Sequence, residues 1–327
     1  MRFFKCLLLL ALLGGCQKDV PAKSDALRTV LQVPYFRNPL KATLVESWKQ
    51  RDLIFEQVQF QGRYNQWIPA LICYSELARF RPQPVILCMP GSSSGKEDLL
   101  RPLDLIPRWA DQGFFIVSID RPYQGERKGD LGLAINDKGL LKIWGEYVYD
   151  LMRAIDYVET RDEADSKRIG MLGLSMGGVE ALLMGALDTR VDVVVSVAGQ
   201  LVWEEVFRGD SWKRIFNGLD LGRGLIQAGV SGEQAWSVFR EAYPNIELVD
   251  ASRVASQAAP KPLLLVTGEN DPYITPASTR KVFEVARTSY AAHEKEEQLE
   301  LWIAPDVAHS FPPQLQARAL EFFVKWL

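Results

Sequence analysis

The chain has 327 residues, 47% hydrophobic and 24% charged, an ordinary globular composition with enough apolar side chains for one large core. A formal charge of -3 with no basic run excludes nucleic acid as a partner. Two histidines and four cysteines, none at ligand spacing with carboxylates, exclude a metal centre.

The first residues differ from the rest. Met1-Arg2-Phe3-Phe4-Lys5 is a positive leader and Cys6 to Leu13 is an apolar run too short to span a bilayer, so the segment reads as an export signal. Its end, Leu13-Gly14-Gly15-Cys16, resembles the lipobox of bacterial lipoproteins. The resemblance implies a signal peptide over residues 1–15, lipidation of Cys16 and a membrane held by acyl chains. Gln17 rather than an aspartate follows the cysteine, which by the same analogy implies an outer-membrane lipoprotein of the cell envelope. Residues 16–27 read as a polar tether and residues 28–327 as one folded domain.

Leu53 to Phe60 and Trp67 to Tyr74 are strand-like runs around the turn Gln61-Gly62-Arg63-Tyr64-Asn65, predicting a leading hairpin. Six compact apolar runs follow: Pro84 to Met89, Phe114 to Ile119, Arg168 to Leu172, Val191 to Val197, Pro262 to Thr267 and Leu299 to Ile303. Such runs suit parallel strands covered on both faces. Helix-period segments lie between them, with Gly113 closing one and Ile143, Tyr147, Leu151, Ile155 and Val158 forming the stripe of another. Alternation of this kind predicts a doubly wound, mostly parallel α/β sheet. About residues 200–259, rich in aromatics, exceed an ordinary crossover and are expected to cover the ligand end of the sheet as a helical cap. The alternative is a peripheral insertion whose aromatics pack on one another. As a cap, it would make Trp203 and Trp212 candidate pocket residues.

Continuing the third of those runs, Ile169 to Leu174 leads into Ser175, which is boxed by Gly173 and Gly177 and followed by a helix. A strand, tight turn and helix with glycines on both sides hold a serine in a strained conformation with its hydroxyl exposed. Ser175 is therefore the candidate nucleophile, and the amide of Met176 a candidate donor to an oxyanion. Two later loops leave strand ends in the same direction: Gly268 to Ile274, carrying Asp271, and Ala304 to Phe311, carrying His309. His309 is the candidate base and Asp271 the acid that orients it. His293 lies among charges and reads as a surface residue; Glu269 reads as a turn cap and Asp306 as a support of the His309 loop.

The order Ser175, Asp271, His309 resembles that of the α/β-hydrolase superfamily over roughly residues 53–327. This resemblance implies an α/β-hydrolase fold and a second oxyanion donor after the strand centred on Ile86, where Met89-Pro90-Gly91-Ser92 carries Pro90 in place of the usual histidine. Ser92 is the position chosen for that donor. Gly91 and Gly95 are too close, and Lys96 is followed by Glu97, so the stretch is not a phosphate loop. In this fold a third strand separates Cys73 from Cys88 by about 9–10 Å, which predicts two buried free thiols.

Asp120-Arg121-Pro122-Tyr123-Gln124-Gly125-Glu126-Arg127 is similar to a loop of bacterial dienelactone-hydrolase-like and acetylxylan-esterase-like enzymes. An ion pair of Arg127 with Glu126 or Asp120 is expected to fix it, with Tyr123 at the pocket. Together these resemblances imply a lipid-anchored serine esterase that forms an acyl-enzyme, needs no cofactor and acts on acyl-carbohydrates or other small esters. The alternatives are a prolyl-oligopeptidase-type exopeptidase and a catalytically silent envelope binding lipoprotein.

Overall fold

The structure, a computed structural model, describes residues 22–92 and 94–327. The expected signal peptide and Cys16 lie outside these residues. Among the described residues no helix is long and apolar enough to cross a membrane.

Helix α1 (Ala22–Val30) precedes strands β1 (Thr43–Gln50), β2 (Leu53–Gln61), β3 (Trp67–Ser75) and β4 (Gln83–Met89). Then α2 (Leu105–Asp111), β5 (Phe115–Ile119), α3 (Leu131–Lys138), α4 (Leu140–Val158), β6 (Ala164–Leu174), α5 (Met176–Leu187) and β7 (Val193–Val197) alternate. The long connection carries α6 (Trp203–Arg208), α7 (Trp212–Ile215), α8 (Asp220–Gln227), α9 (Gly232–Ala242) and α10 (Ala251–Ala258). The chain closes with β8 (Leu263–Gly268), α11 (Pro276–Ala292), β9 (Leu299–Ala304) and α12 (Pro313–Trp326).

The strands form one nine-stranded sheet in the order β1-β2-β3-β5-β4-β6-β7-β8-β9. From β5 through β9 every pairing is parallel, whereas β1, β2 and β3 pair antiparallel with one another and β3 with β5. The apolar runs are buried on both faces because they alternate between two cores. Val85, Leu87 and Met89 of β4 pack with α4 and α5, while Ile86 and Cys88 face the side covered by α2 and α12. The strand of Cys73 and that of Cys88 are separated by β5, and both thiols are free and buried. Burial pushes each thiol far above the ordinary range, so neither is a thiolate.

Three features differ from expectation. The hairpin is a three-stranded antiparallel meander: β1 is exposed along nearly its whole length and so carries little of the apolar alternation that reveals a buried strand. The proposed tether is helical from Ala22, because α1 buries Leu27 and is followed by buried Leu31 in the core shared with α4. The last helix of the long connection, α10, belongs to the sheet layer, burying Val254 and Ala255 beside α5 and α11.

After β4 the chain turns to β5 on one side and then to β6 on the other. Adjacent strands whose connections part in this way leave a crevice at their carboxyl ends, which is where α/β sheets bind ligands.

Candidate active site

Ser175 sits between β6 and α5 with φ 58° and ψ -116°, a left-handed conformation that side chains avoid. Such a residue costs on the order of 1–3 kcal/mol and persists only where its surroundings impose it. Here its N–H donates to the carbonyl of Val197 at 2.8 Å, and its carbonyl accepts from Val179 at 3.1 Å in the first turn of α5. The flanking glycines are required by space. A Cβ on Gly173 would lie 1.8 Å from the carbonyl oxygen of Gly177, and one on Gly177 would lie 2.3 Å from that of Met89.

The hydroxyl of Ser175 is 2.9 Å from Nε2 of His309, and Nδ1 of His309 is 2.7 Å from Oδ2 of Asp271. A carboxylate accepts only, so Nδ1 carries the proton and Nε2 is left to accept from the serine. The second oxygen of Asp271 accepts from the backbone N–H of Tyr273 and of Ile274, both at 2.9 Å, and its side chain is fully buried. These bonds stabilise the charged carboxylate and fix its direction.

The loops carrying Asp271 and His309 are tied together. Asn270 donates to the carbonyl of Val307 at 2.9 Å, Glu269 N–H to Ala304 at 2.8 Å, and the Glu269 carboxylate accepts from Asp306 N–H at 3.4 Å. Glu269 and Asp306 are exposed and act as links between loops rather than as partners of the imidazole. Tyr273 packs against the His309 ring at 4.8 Å between centroids. His293 is exposed at the end of α11, well outside this arrangement.

Met176 begins α5, where the first amides of a helix have no intrahelical acceptor. Ser92 follows β4 and lines the same cavity as Ser175 and Met176. The orientation of its amide follows from the Asp120 to Arg127 loop. Arg121 donates to the carbonyls of Pro90 and, at 3.0 Å, of Gly91, while Gln124 donates to that of Ser92. In a trans peptide the N–H points opposite to the carbonyl, so anchoring the Gly91 oxygen on Arg121 turns the Ser92 N–H to the other side. Arg121 is itself held by Gln124 at 2.7 Å and by Glu180 of α5, both buried. Burial pushes the Glu180 carboxyl above its ordinary range, against the pull of Arg121.

The loop is thus fixed by ion pairs, but not by those expected. Arg127 pairs with Asp150 of α4, and Asp120 and Glu126 both pair with Lys96. Neighbouring residues on one tight loop cannot all face each other, and buried charges from other elements take the places instead.

A cavity of about 750 Å³ opens above Ser175, a size suited to a small molecule. Its apolar wall includes Leu131 and Ile135 of α3, Trp144 of α4, and Phe216 and Leu219 of the long connection. Tyr123, Trp203 and Trp212, expected at the pocket, do not line it. Tyr123 turns its hydroxyl to Lys138 at 2.7 Å. Trp203 stacks behind Trp144 with ring centroids 6.1 Å apart and donates to the carbonyl of Ile246 at 3.0 Å. Trp212 is fully buried against Phe207. Of the two arrangements expected for residues 200–259, each holds for a part: the aromatics of α6, α7 and α9 pack internally, and the turn after α7 covers the cavity. No apolar period marks Trp144, Arg214 or Phe216 as lining residues, since burial in a core and burial at a cavity wall have the same sequence signature.

A mostly parallel sheet with helices on both faces, an antiparallel leading edge and a serine at a strained strand-to-helix turn define an α/β-hydrolase fold. Residues 105–327 match the prolyl oligopeptidase family, Peptidase_S9, and the chain belongs to that family. It is 26% identical over 272 residues to the presumptive esterase YitV of Bacillus subtilis (strain 168), covering 83% of this chain and 100% of YitV. Solved structures of similar fold include an acetyl xylan esterase from Paenibacillus sp. R4, with TM-score 0.62, 18% identity and coverage of 95% of each chain. A glucuronoyl esterase from Solibacter usitatus superposes with TM-score 0.69 at 13% identity, covering 93% of this chain and 92% of that one.

Proposed function

We propose that the protein is a serine hydrolase that cleaves carboxylic esters through an acyl-enzyme. The observation that carries this reading is the continuous line from the Ser175 hydroxyl through both nitrogens of His309 to Asp271. A serine hydroxyl is a weak nucleophile at neutral pH, so Nε2 takes its proton as Oγ attacks the ester carbonyl. The carbonyl oxygen becomes an oxyanion that the amides of Ser92 and Met176 stabilise, and Asp271 stabilises the imidazolium. Collapse expels the alcohol with the proton from Nε2. Water then repeats the sequence on the acyl-serine, returning the acid and free enzyme. None of these steps calls for a cofactor.

Esters of carbohydrates or other small acyl esters are the favoured substrates, supported by the esterase names of YitV and of the two structural neighbours. Membership of the prolyl oligopeptidase family favours a second reading, exopeptidase action. Among the described residues lining the cavity, however, there is no acidic side chain to receive a peptide amine. The deciding experiment is fluorophosphonate labelling with Ser175→Ala as control, followed by acetylated sugars, p-nitrophenyl esters and aminoacyl amides. Labelled Ser175 with ester turnover is the expected result; amide turnover alone selects the exopeptidase, and an unlabelled, inactive folded protein selects a binding lipoprotein.

The location is proposed on the leader alone: export, cleavage before Cys16 and outer-membrane anchoring. Radiolabelled palmitate incorporated by the full chain and lost in Cys16→Ala is the expected outcome, and incorporation by neither chain removes the anchor.

A further inference from the structure

The described residues lining the cavity over Ser175 include only one permanently charged side chain, Arg214, at the end of α7. It makes no hydrogen bond, ion pair or ring contact with another side chain among the described residues, although its backbone N–H donates to Ser211. The other cations of α6 to α9 behave differently. Arg208 pairs with Glu204 and Glu205, Lys213 with Asp210, Arg223 with Asp220 and Arg240 with Glu247. The insertion therefore neutralises its cations within itself and leaves one open, at the place where the chain crosses the cavity. Asn217, Ser92 and Ser94 line the same cavity and carry further polar side chains.

We infer that the cavity takes esters bearing a second, anionic group, a carboxylate above all, and that Arg214 binds that group while Ser175 attacks the ester. The inference rests on the ester-hydrolase reading of the same site. A guanidinium presents a planar fork of donors that a carboxylate can meet with both oxygens. At the exposed mouth alone such a pair would be weak, but a low-dielectric cleft with a single sign of permanent charge focuses the field and a bound substrate displaces water from it. The same field disfavours an ammonium group, which sets this substrate class apart from peptides with a free amine. Recognition and chemistry come from different parts of the chain: the anion is read by the insertion, the ester by the sheet loops.

The test compares two pairs of esters matched in shape and differing in charge. In para-acetoxybenzoate against para-acetoxybenzamide the charge lies on the leaving group; in the mono-p-nitrophenyl ester of adipic acid against p-nitrophenyl hexanoate it lies on the acyl group. The readout is the ratio of kcat/KM, anionic over neutral, in the native chain and in Arg214→Gln, Arg214→Lys and Arg214→Glu. Taking the ratio within each protein cancels any general loss of active enzyme, and comparing that ratio between proteins cancels the intrinsic reactivity of the two esters.

For at least one pair the ratio should fall on the order of tenfold in Arg214→Gln, the size of one charge-assisted contact at a partly solvated site. It should recover in part in Arg214→Lys and fall furthest in Arg214→Glu, mainly through KM. Turnover of the neutral esters with ratios the same in all four proteins overturns the anion site while leaving the esterase intact. Absence of turnover on every ester, with Ser175 unlabelled by fluorophosphonate, overturns the esterase reading and this inference with it.

Discussion

The rim of the sheet and the insertion from Trp203 to Val249 face each other across one cavity, yet they are held together by different forces. At the rim, backbone does the positioning: the Ser175 turn closes on glycines where a Cβ would lie 1.8 or 2.3 Å from a carbonyl oxygen, and amides of Tyr273 and Ile274 grip Asp271. The insertion is held by rings. Phe239 lies 5.0 Å from Phe207, 4.7 Å from Phe216 and 5.6 Å from Tyr243 between centroids, and Trp203 ties the group to Trp144 of the body. Hydrogen-bonded backbone tolerates little displacement, which suits the proton relay proposed for Ser175, His309 and Asp271, whose contacts must stay near 3 Å. Packed side chains can be exchanged for others of similar volume, which suits a wall that sets substrate shape.

The largest expected effect breaks the rim alone. Ser175→Ala should lower ester turnover by roughly a million-fold, as loss of a nucleophile does in serine hydrolases, with thermal unfolding little changed. Turnover within tenfold of the native enzyme would remove Ser175 from the chemistry. Next comes the insertion: Phe239→Ala should destabilise by about 3–5 kcal/mol, measured by urea unfolding, because it empties a fully buried site. Since Phe239 backs Phe216 at the cavity, the acyl-length preference of p-nitrophenyl esters should shift too, while fluorophosphonate labelling of the folded fraction persists. An unchanged preference would assign the insertion a structural role only.

Arg121→Lys tests the junction of the two kinds of support, since Arg121 holds the Pro90 and Gly91 carbonyls from beneath the cavity. One ammonium cannot reproduce a fork shared between two carbonyls, Gln124 and Glu180, so kcat should fall about 10- to 100-fold with a smaller change in KM. A change in KM with kcat preserved would mean that the loop does not position the proposed oxyanion donors. The smallest effect belongs to His293→Ala, at an exposed site: stability within about 0.5 kcal/mol and kcat/KM unchanged, measured on the same ester.

The sequence by itself determined most of the rim. Ser175 between two glycines, and Asp271 and His309 after apolar strand runs, were legible because a parallel sheet buried on both faces has an unmistakable pattern and sends its loops to one edge. It also determined that residues 200–259 exceed a crossover. Only the tertiary structure decided which aromatics meet the cavity, and it placed Trp144, from α4, there instead of Trp203 and Trp212. It likewise decided that Lys96, Asp150 and Glu180 partner the loop from Asp120 to Arg127, and that Arg214 has no side-chain partner among the described residues. The physical reason is range. Strand period, turn geometry and loop direction are fixed by neighbours in the chain, whereas ion pairing and the choice between core and cavity wall depend on contacts between segments far apart, which composition and spacing do not encode.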